Sequence, residues 1–268
     1  MKPSFLMCPP EYFGVRYAIN PWMEGQIGQV DPALAAKQWS GFYNVLCQTA
    51  NVHLMEPQPH VPDLVFTANA GLVVQDQFMA SRFKHEERRR EEPLFRKWFE
   101  SSSTRIIPFP KNLNFEGAGD ALLQPGGTVL WTGYGFRTDL EAHRFLAEQW
   151  EFEVVSLRLV NPNFYHLDTC FCPLLDDQAM YYPPAFAEES LQLIEKHILP
   201  ENRIIISEQD AGHFACNAVL ADRILFLNHA GPQLTQQLEK KGYTPIIQPV
   251  SEFLKAGGGN KCLTLALT

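Results

Sequence analysis

The chain has 268 residues, 46% of them hydrophobic and 19% charged, with a formal charge of -8. Those proportions describe a globular fold of one large or two ordinary domains. The acidity excludes a nucleic-acid or anionic-membrane partner, since either requires a basic face, but it admits a small cationic ligand in an acidic pocket.

Residues 4–8 read as a first strand, stopped by Pro9-Pro10. Asn20-Pro21-Trp22 is turn chemistry beside an aromatic. Residues 32–50 place Leu34, Trp39, Phe42, Val45 and Leu46 at helical spacing behind Asp31-Pro32, a cap and a first-turn proline. A strand follows at 52–55. Residues 62–74 form a turn and then a strand, Gln75-Asp76-Gln77 is a hairpin turn, and 78–80 run back. Residues 81–100 are a charged loop followed by a helix, and 105–108 a strand.

The order then returns. Phe115 to Asp120 leads into strand 121–123, a Pro-Gly-Gly turn, strand 129–131, a helix at 138–149 and a strand at 154–155. From His166 come strand 169–175, turn Asp176-Asp177, strand 179–182, helix 185–197 and strand 203–205. From Asn217 come strand 218–220, turn Ala221-Asp222, strand 224–226, helix 232–241 and strand 244–247. Gly257-Gly258-Gly259-Asn260-Lys261-Cys262 then opens a last strand at 263–267.

One polar anchor begins each unit: Asp63, Glu116, His166, Asn217 and Cys262, in steps of 53, 50, 51 and 45 residues. A period near 50 is the mark of a repeat architecture whose units bury their faces on one another. Each unit is a hairpin, a helix and a further strand, ββαβ. Five units around an axis bring all five anchors to one end of a central channel, in a single domain over residues 1–268. The pocket there would gather Asp63, Glu116, His166, Asp168 and Cys262.

Thiol, imidazole and carboxylates together point to a thiolate nucleophile with an acid/base partner. The carboxylates outnumber what one imidazole needs, and they suit a planar guanidinium with its fork of N–H donors. Asp63, Glu116 and Asp168 would hold it, Cys262 attack its central carbon, and His166 carry protons.

The segments PDLVFTAN (62–69), FEGAGD (115–120), HLD (166–168) and GGGNKC (257–262) resemble, in order and over the whole chain, the guanidino-group-modifying (pentein) superfamily. That superfamily includes arginine deiminases, dimethylarginine hydrolases, amidinotransferases and arginine dihydrolases. The resemblance implies a five-fold pseudosymmetric α/β propeller. It makes Cys262 the nucleophile, His166 the acid/base, and Glu116 with Asp168 the guanidinium holders. Asp63 and Phe66, within the first segment, are implied substrate contacts, as is Asn20. Arg88 and Arg137 are implied clamps for an α-carboxylate. The run Arg88-Arg89-Arg90 does not show which arginine points inward.

Asn69 stands where deiminase-like members carry Asp, and Gly117-Ala118-Gly119 replaces adjacent glycines. Both features, with the segments at 19–23 and 83–85, resemble the arginine dihydrolases. The expected reaction is therefore arginine to ornithine, two ammonia and carbon dioxide. The alternatives are a single-step hydrolase giving citrulline, an amidinotransferase, and a non-catalytic amino-acid-binding propeller. No zinc spacing links Cys8, Cys47, Cys170, Cys172, Cys216 and Cys262, and no metal or organic cofactor is expected. No apolar run is long enough to span a bilayer, and Met1-Lys2 does not open a signal peptide. A cytoplasmic enzyme with free thiols is expected, and a homo-oligomer is compatible with the sequence.

Overall fold

The computed structural model describes residues 2–267. Strand β1 (Ser4–Met7) is followed by helix α1 (Pro32–Thr49) and strand β2 (Asn51–Leu54), which lies parallel to β1. The Asp31 carboxylate accepts from the N–H groups of Ala33 and Leu34, and Pro32 opens the helix where no donor is needed. Ala35, Trp39, Phe42 and Leu46 form the buried stripe. Leu34, expected on that face, is exposed, because Ala35 takes the inward position in the first turn.

Four units then repeat one order. They are β3 (Gly71–Val74), β4 (Gln77–Ala80), α2 (Glu92–Glu100) and β5 (Arg105–Ile107); β6 (Ala121–Leu123), β7 (Val129–Tyr134), α3 (Leu140–Gln149) and β8 (Glu153–Arg158). Next are β9 (Phe171–Pro173), β10 (Ala179–Tyr181), α4 (Glu188–His197) and β11 (Arg203–Ile205). After the short α5 (Glu208–Ala211) come β12 (Val219–Ala221), β13 (Ile224–Leu227), α6 (Pro232–Lys240) and β14 (Thr244–Ile247). In each unit the first two strands are antiparallel and the third is parallel to the second. A parallel pair needs a crossover, which the helix supplies.

The chain finishes with α7 (Ser251–Leu254) and β15 (Leu265–Ala266). Strand β15 runs antiparallel to β1, with Leu6 opposite Leu265. The antiparallel partner of β1 in the first unit thus comes from the far end of the chain. The result is a mixed α/β fold of five three-stranded sheets.

The hairpin turns fall where the sequence placed them, with Gln75, Asp176, Asp177 and Asp222 at φ of 56°, 56°, 54° and 56°. Short polar side chains tolerate that left-handed conformation best. Other boundaries differ. Strand β9 is shorter than 169–175, because Leu167–Thr169 form a 3-10 turn in which the Thr169 hydroxyl donates to the His166 carbonyl at 2.6 Å. The last strand is also short, since backbone bonds from Leu263 to Asn260 and from Thr264 to Lys261 keep that stretch in turns. Helices α5 and α7, four residues each, were not expected and are too brief to show a period.

The repeat register also shifts in the second unit. Glu116 and His166 each precede a 3-10 turn that leads into the unit's first strand, and Phe66 does the same. Phe66, not Asp63, is therefore the structural counterpart of Glu116, because Pro62–Val65 form a separate 3-10 turn ahead of it. A cavity of about 470 Å3 is lined by residues from all five sheets, among them Phe5, Leu72, Leu122, Phe171 and Val219. No helix of the described residues is long and apolar enough to cross a membrane.

Candidate active site

The junctions that enter the inner strands carry the chemistry. The glycine loop after α7 sets the floor. Gly257 has φ 79°, and a Cβ there would lie 2.6 Å from the Tyr165 hydroxyl. A Cβ on Gly258 would run into the Phe66 ring. Glycine alone lets this backbone lie against both rings. The Tyr165 hydroxyl then donates to the Gly257 carbonyl at 2.6 Å.

Cys262 follows, 3% exposed. Its backbone N–H donates to Asn217 Oδ1 at 3.1 Å, and Asn217 Nδ2 donates to Sγ at 3.1 Å. Sγ lies 3.5 Å from Asp168 Oδ2, its hydrogen-bond acceptor. Burial pushes the thiol well above its ordinary range and Asp168 adds to this, while a Gly259 backbone bond, Asn217 and Lys261 oppose them. Burial also pushes Asp168 up to about 7, against the pull of Lys261, Cys262 and Asn217. The Cys262 thiol thus points at a carboxyl group.

His166 is turned the other way. Its Nε2 lies 2.7 Å from Glu116 Oε2. Arg137 Nη1 donates to the same oxygen at 3.1 Å, and the Lys84 backbone N–H donates to Oε1 at 3.2 Å. Burial alone would raise the Glu116 carboxyl, but Arg137 and His166 outweigh it and hold the group well below the carboxylate range. A fixed carboxylate on one ring nitrogen orients the imidazole.

Arg137 also donates to the Ile19 carbonyl at 2.9 Å and lies 4.6 Å over the Tyr165 ring. Among the three adjacent arginines, Arg88 is the inward one: it is 4% exposed, whereas Arg89 and Arg90 face outward. Glu91 grips Arg88 with two bonds of 2.7 Å. The remaining donors of Arg88 reach Asn69 Oδ1 at 2.9 Å and the Asp63 carbonyl at 3.4 Å.

Asn69 in turn donates from Nδ2 to the Glu116 carbonyl at 3.2 Å, so both ends of its amide are held. Asp63 Oδ2 accepts from the Tyr17 hydroxyl at 2.8 Å, while its buried Oδ1 has no hydrogen-bond partner among the described residues. Asn20 ties its loop to the floor, donating to the Ala256 carbonyl at 3.1 Å.

Asn20, Asp63, Phe66, Asn69, Arg88, Arg137, His166 and Cys262 line one pocket. Glu116 stands behind His166, and Asp168 lies beneath the thiol on the wall of the larger cavity. The structure thus brings all ten expected site residues together. Three others were not expected there, Tyr165, Tyr17 and Glu91, while Asn217, expected at this end as a repeat anchor, is the clamp on the thiol. Asn217 carried a signal, its place in the repeat; Glu91 looked like one more acid in a charged run. The free volume of the pocket is about 10 Å3, room for a single water. Its arginines are closed onto Glu116, Glu91 and Asn69.

Comparison with known proteins places this geometry. Residues 10–268 match the family described as N,N dimethylarginine dimethylhydrolase, eukaryotic. The chain is 52% identical over 264 residues to the bifunctional arginine dihydrolase/ornithine cyclodeaminase AgrE of Nostoc sp., covering 98% of itself and 38% of that protein. It is 39% identical over 264 residues to the N(G),N(G)-dimethylarginine dimethylaminohydrolase of Mycobacterium tuberculosis, covering 98% of itself and 85% of that protein. It superposes with a TM-score of 0.98, at 48% identity, on the N-terminal domain of ArgZ, a cyanobacterial arginine dihydrolase solved as a cysteine-to-serine mutant bound to substrate. That superposition covers 99% of this chain and 98% of the domain. The chain spans under two-fifths of the length of the bifunctional relatives, 38% of AgrE and 37% of ArgZ from Synechocystis. With the family model matched from residue 10 to 268, and 39% identity to a dimethylaminohydrolase along most of that enzyme's length, the chain belongs to the dimethylarginine dimethylaminohydrolase family of the guanidino-group-modifying superfamily.

Proposed function

We propose that residues 1–268 form a single catalytic domain, an α/β propeller whose five ββαβ units surround the large cavity. Its proposed reaction is the hydrolysis of L-arginine to ornithine, two ammonia and carbon dioxide. The carrying observation is the pairing of a thiol on Asp168 with an imidazole on Glu116 across one small pocket that also holds Asn69. The likeness to two proteins named arginine dihydrolases supports the same reading.

The geometry performs the reaction as follows. An arginine entering the pocket displaces the Arg137 guanidinium from Glu116, because about 10 Å3 cannot hold both. Arg137, freed, takes the substrate's α-carboxylate. The unpartnered Asp63 Oδ1 and the Asp168 carboxylate receive the guanidinium N–H groups. The incoming cation lowers the thiol's affinity for its proton, so the thiolate forms when substrate is bound. Sγ attacks the guanidinium carbon, and His166 gives a proton to the departing amine, which leaves as ammonia. Water then adds to the amidino thioester, His166 takes its proton, and the C–S bond breaks to give citrulline and Cys262.

The second round needs the ureido group to stay. Asn69 has one N–H and one lone pair beyond those used by Glu116 and Arg88, so it serves a donor and an acceptor. Cys262 attacks the ureido carbon and the second ammonia leaves. Hydrolysis of the thiocarbamate gives ornithine carbamate, which loses carbon dioxide.

A second reading, one hydrolysis ending at citrulline, draws on the family match to dimethylarginine hydrolases. Incubation with L-arginine separates the two. The first gives ornithine and two ammonia per arginine; the second gives citrulline and one. No ammonia at all would overturn both.

A further inference from the structure

Lys261 precedes the nucleophile, yet the substrate pocket does not include it. Its side chain lies on the wall of the large cavity, as does Asp168. Its Nζ is buried and has no hydrogen-bond partner among the described residues, and Asp168 Oδ1 is in the same condition. The other Asp168 oxygen faces the Cys262 thiol at 3.5 Å. A buried ammonium without a partner is costly unless an opposite charge stands near it. Burial pulls Lys261 below its ordinary range, and Asp168, Cys262 and Cys172 oppose that pull, holding the charged form. Asp168 and Cys172 share the wall of the large cavity with Lys261, and Cys262 joins that wall to the substrate pocket.

We propose that Lys261 is a positioning residue for the nucleophile, a fixed cation that acts on Cys262 and Asp168 from the large cavity, behind the reacting atoms. Lys261 never touches substrate. It offsets the negative charge that the Asp168–Cys262 pair acquires on losing a proton. The other charged or titratable groups on the pocket side of the thiol are His166, Tyr165, Arg137, Arg88 and Asp63, with Cys172, Cys216 and Asp222 on the cavity side. None of them shares both the cavity wall and the chain position of Lys261. Whichever member of the pair holds the last proton, removing the cation moves its loss to higher pH. The inference rests on Cys262 as the nucleophile and deepens that reading.

The test needs no substrate, so its failure is distinct from failure of the arginine reaction. Alkylation of Cys262 by iodoacetamide is followed against pH, by mass spectrometry of the peptide that contains it. In Lys261→Met the pH midpoint rises, and the rate at neutral pH falls about tenfold, the effect of one nearby charge in a buried site. Lys261→Arg keeps the wild-type midpoint. Lys261→Gln, which retains a hydrogen-bonding group without charge, behaves as Met does. An unchanged midpoint in either neutral variant overturns the proposal, and so does a wild-type profile in Gln alone. Failure of both neutral variants to fold, with Lys261→Arg folded, also overturns it, since the charge would then serve the fold and not the thiol.

Discussion

Cys262 is held by two bonds to Asn217, one of them donated by its own backbone N–H, by a contact with Asp168 and by a Gly259 backbone bond. Serine preserves those contacts, so Cys262→Ser should fold as the wild type does and release no ammonia from arginine, because an alcohol of higher pKa is the weaker nucleophile. Near-normal turnover by a folded variant would contradict covalent catalysis. Arg137 carries two duties. In the free protein it neutralises the buried Glu116 at 3.1 Å, and with substrate it is proposed to meet the α-carboxylate. Arg137→Ala should therefore weaken arginine binding and also cost about 3–5 kcal/mol of stability, the usual effect of stranding one member of a buried pair. Adding Glu116→Gln should restore the urea midpoint but not activity; an unaltered midpoint in the single variant would show that Glu116 finds another partner. Agmatine, without the carboxylate, should be a poor substrate of the wild type. At Asn69, an aspartate would set a carboxylate oxygen against the Glu116 carbonyl, now 3.2 Å from Nδ2. Arg88 would hold the other oxygen, leaving acceptors only toward the substrate. Asn69→Asp is expected to stop at citrulline with one ammonia per arginine, and ornithine formation at an undiminished rate would remove Asn69 from the second step.

At the scale of elements, the chain's last strand completes its first sheet. Leu265 is 1% exposed and lies opposite Leu6. Leu265→Ala should cost about 2–5 kcal/mol by removing buried methyl groups, read as a lower urea midpoint. Because Cys262 stands just ahead of this strand, the same variant should alkylate Cys262 faster; an unchanged midpoint would mean that β15 contributes little to closure. The repeated hairpin, helix and strand were legible because each leaves a local mark: an apolar run, a helical period, or a turn residue able to take positive φ, such as Asp222. The 3-10 turns and the four-residue helices left none, and they move boundaries by a few residues and the first anchor from Asp63 to Phe66. The site followed the same division. Cys262, His166 and Glu116 stand at corresponding points of successive repeats, so counting brought them together. Glu91 and Tyr165 act through contacts at the site that no spacing encodes: a two-pronged grip on Arg88, and a bond to Gly257 under the Arg137 stack.

Across the whole molecule, residues of all five sheets line one cavity, and buried charge ties the candidate site to stability. The Asp168 carboxyl, pushed up to about 7, keeps its proton in the folded chain over pH values where the unfolded chain has lost it. Its contribution to stability is therefore largest at low pH and declines as pH rises toward 7. Glu116 has the opposite sign: held low, it contributes fully above the ordinary carboxylate range and loses that contribution as pH falls through its folded value. The Asp168→Asn variant should accordingly gain urea resistance relative to wild type as the pH is raised from about 5 to 7; no relative change over that window would mean Asp168 is ionised throughout. The central claim is that one thiol carries the guanidinium carbon through two hydrolyses. The most direct measurement is a single turnover with arginine labelled with carbon-13 at the guanidinium carbon, quenched at intervals and followed by mass spectrometry and carbon NMR. Label is expected on the Cys262 peptide at early times, then in transient citrulline, and then in carbon dioxide, with unlabelled ornithine. Label that accumulates in citrulline and goes no further, or that never appears on Cys262, would contradict that claim.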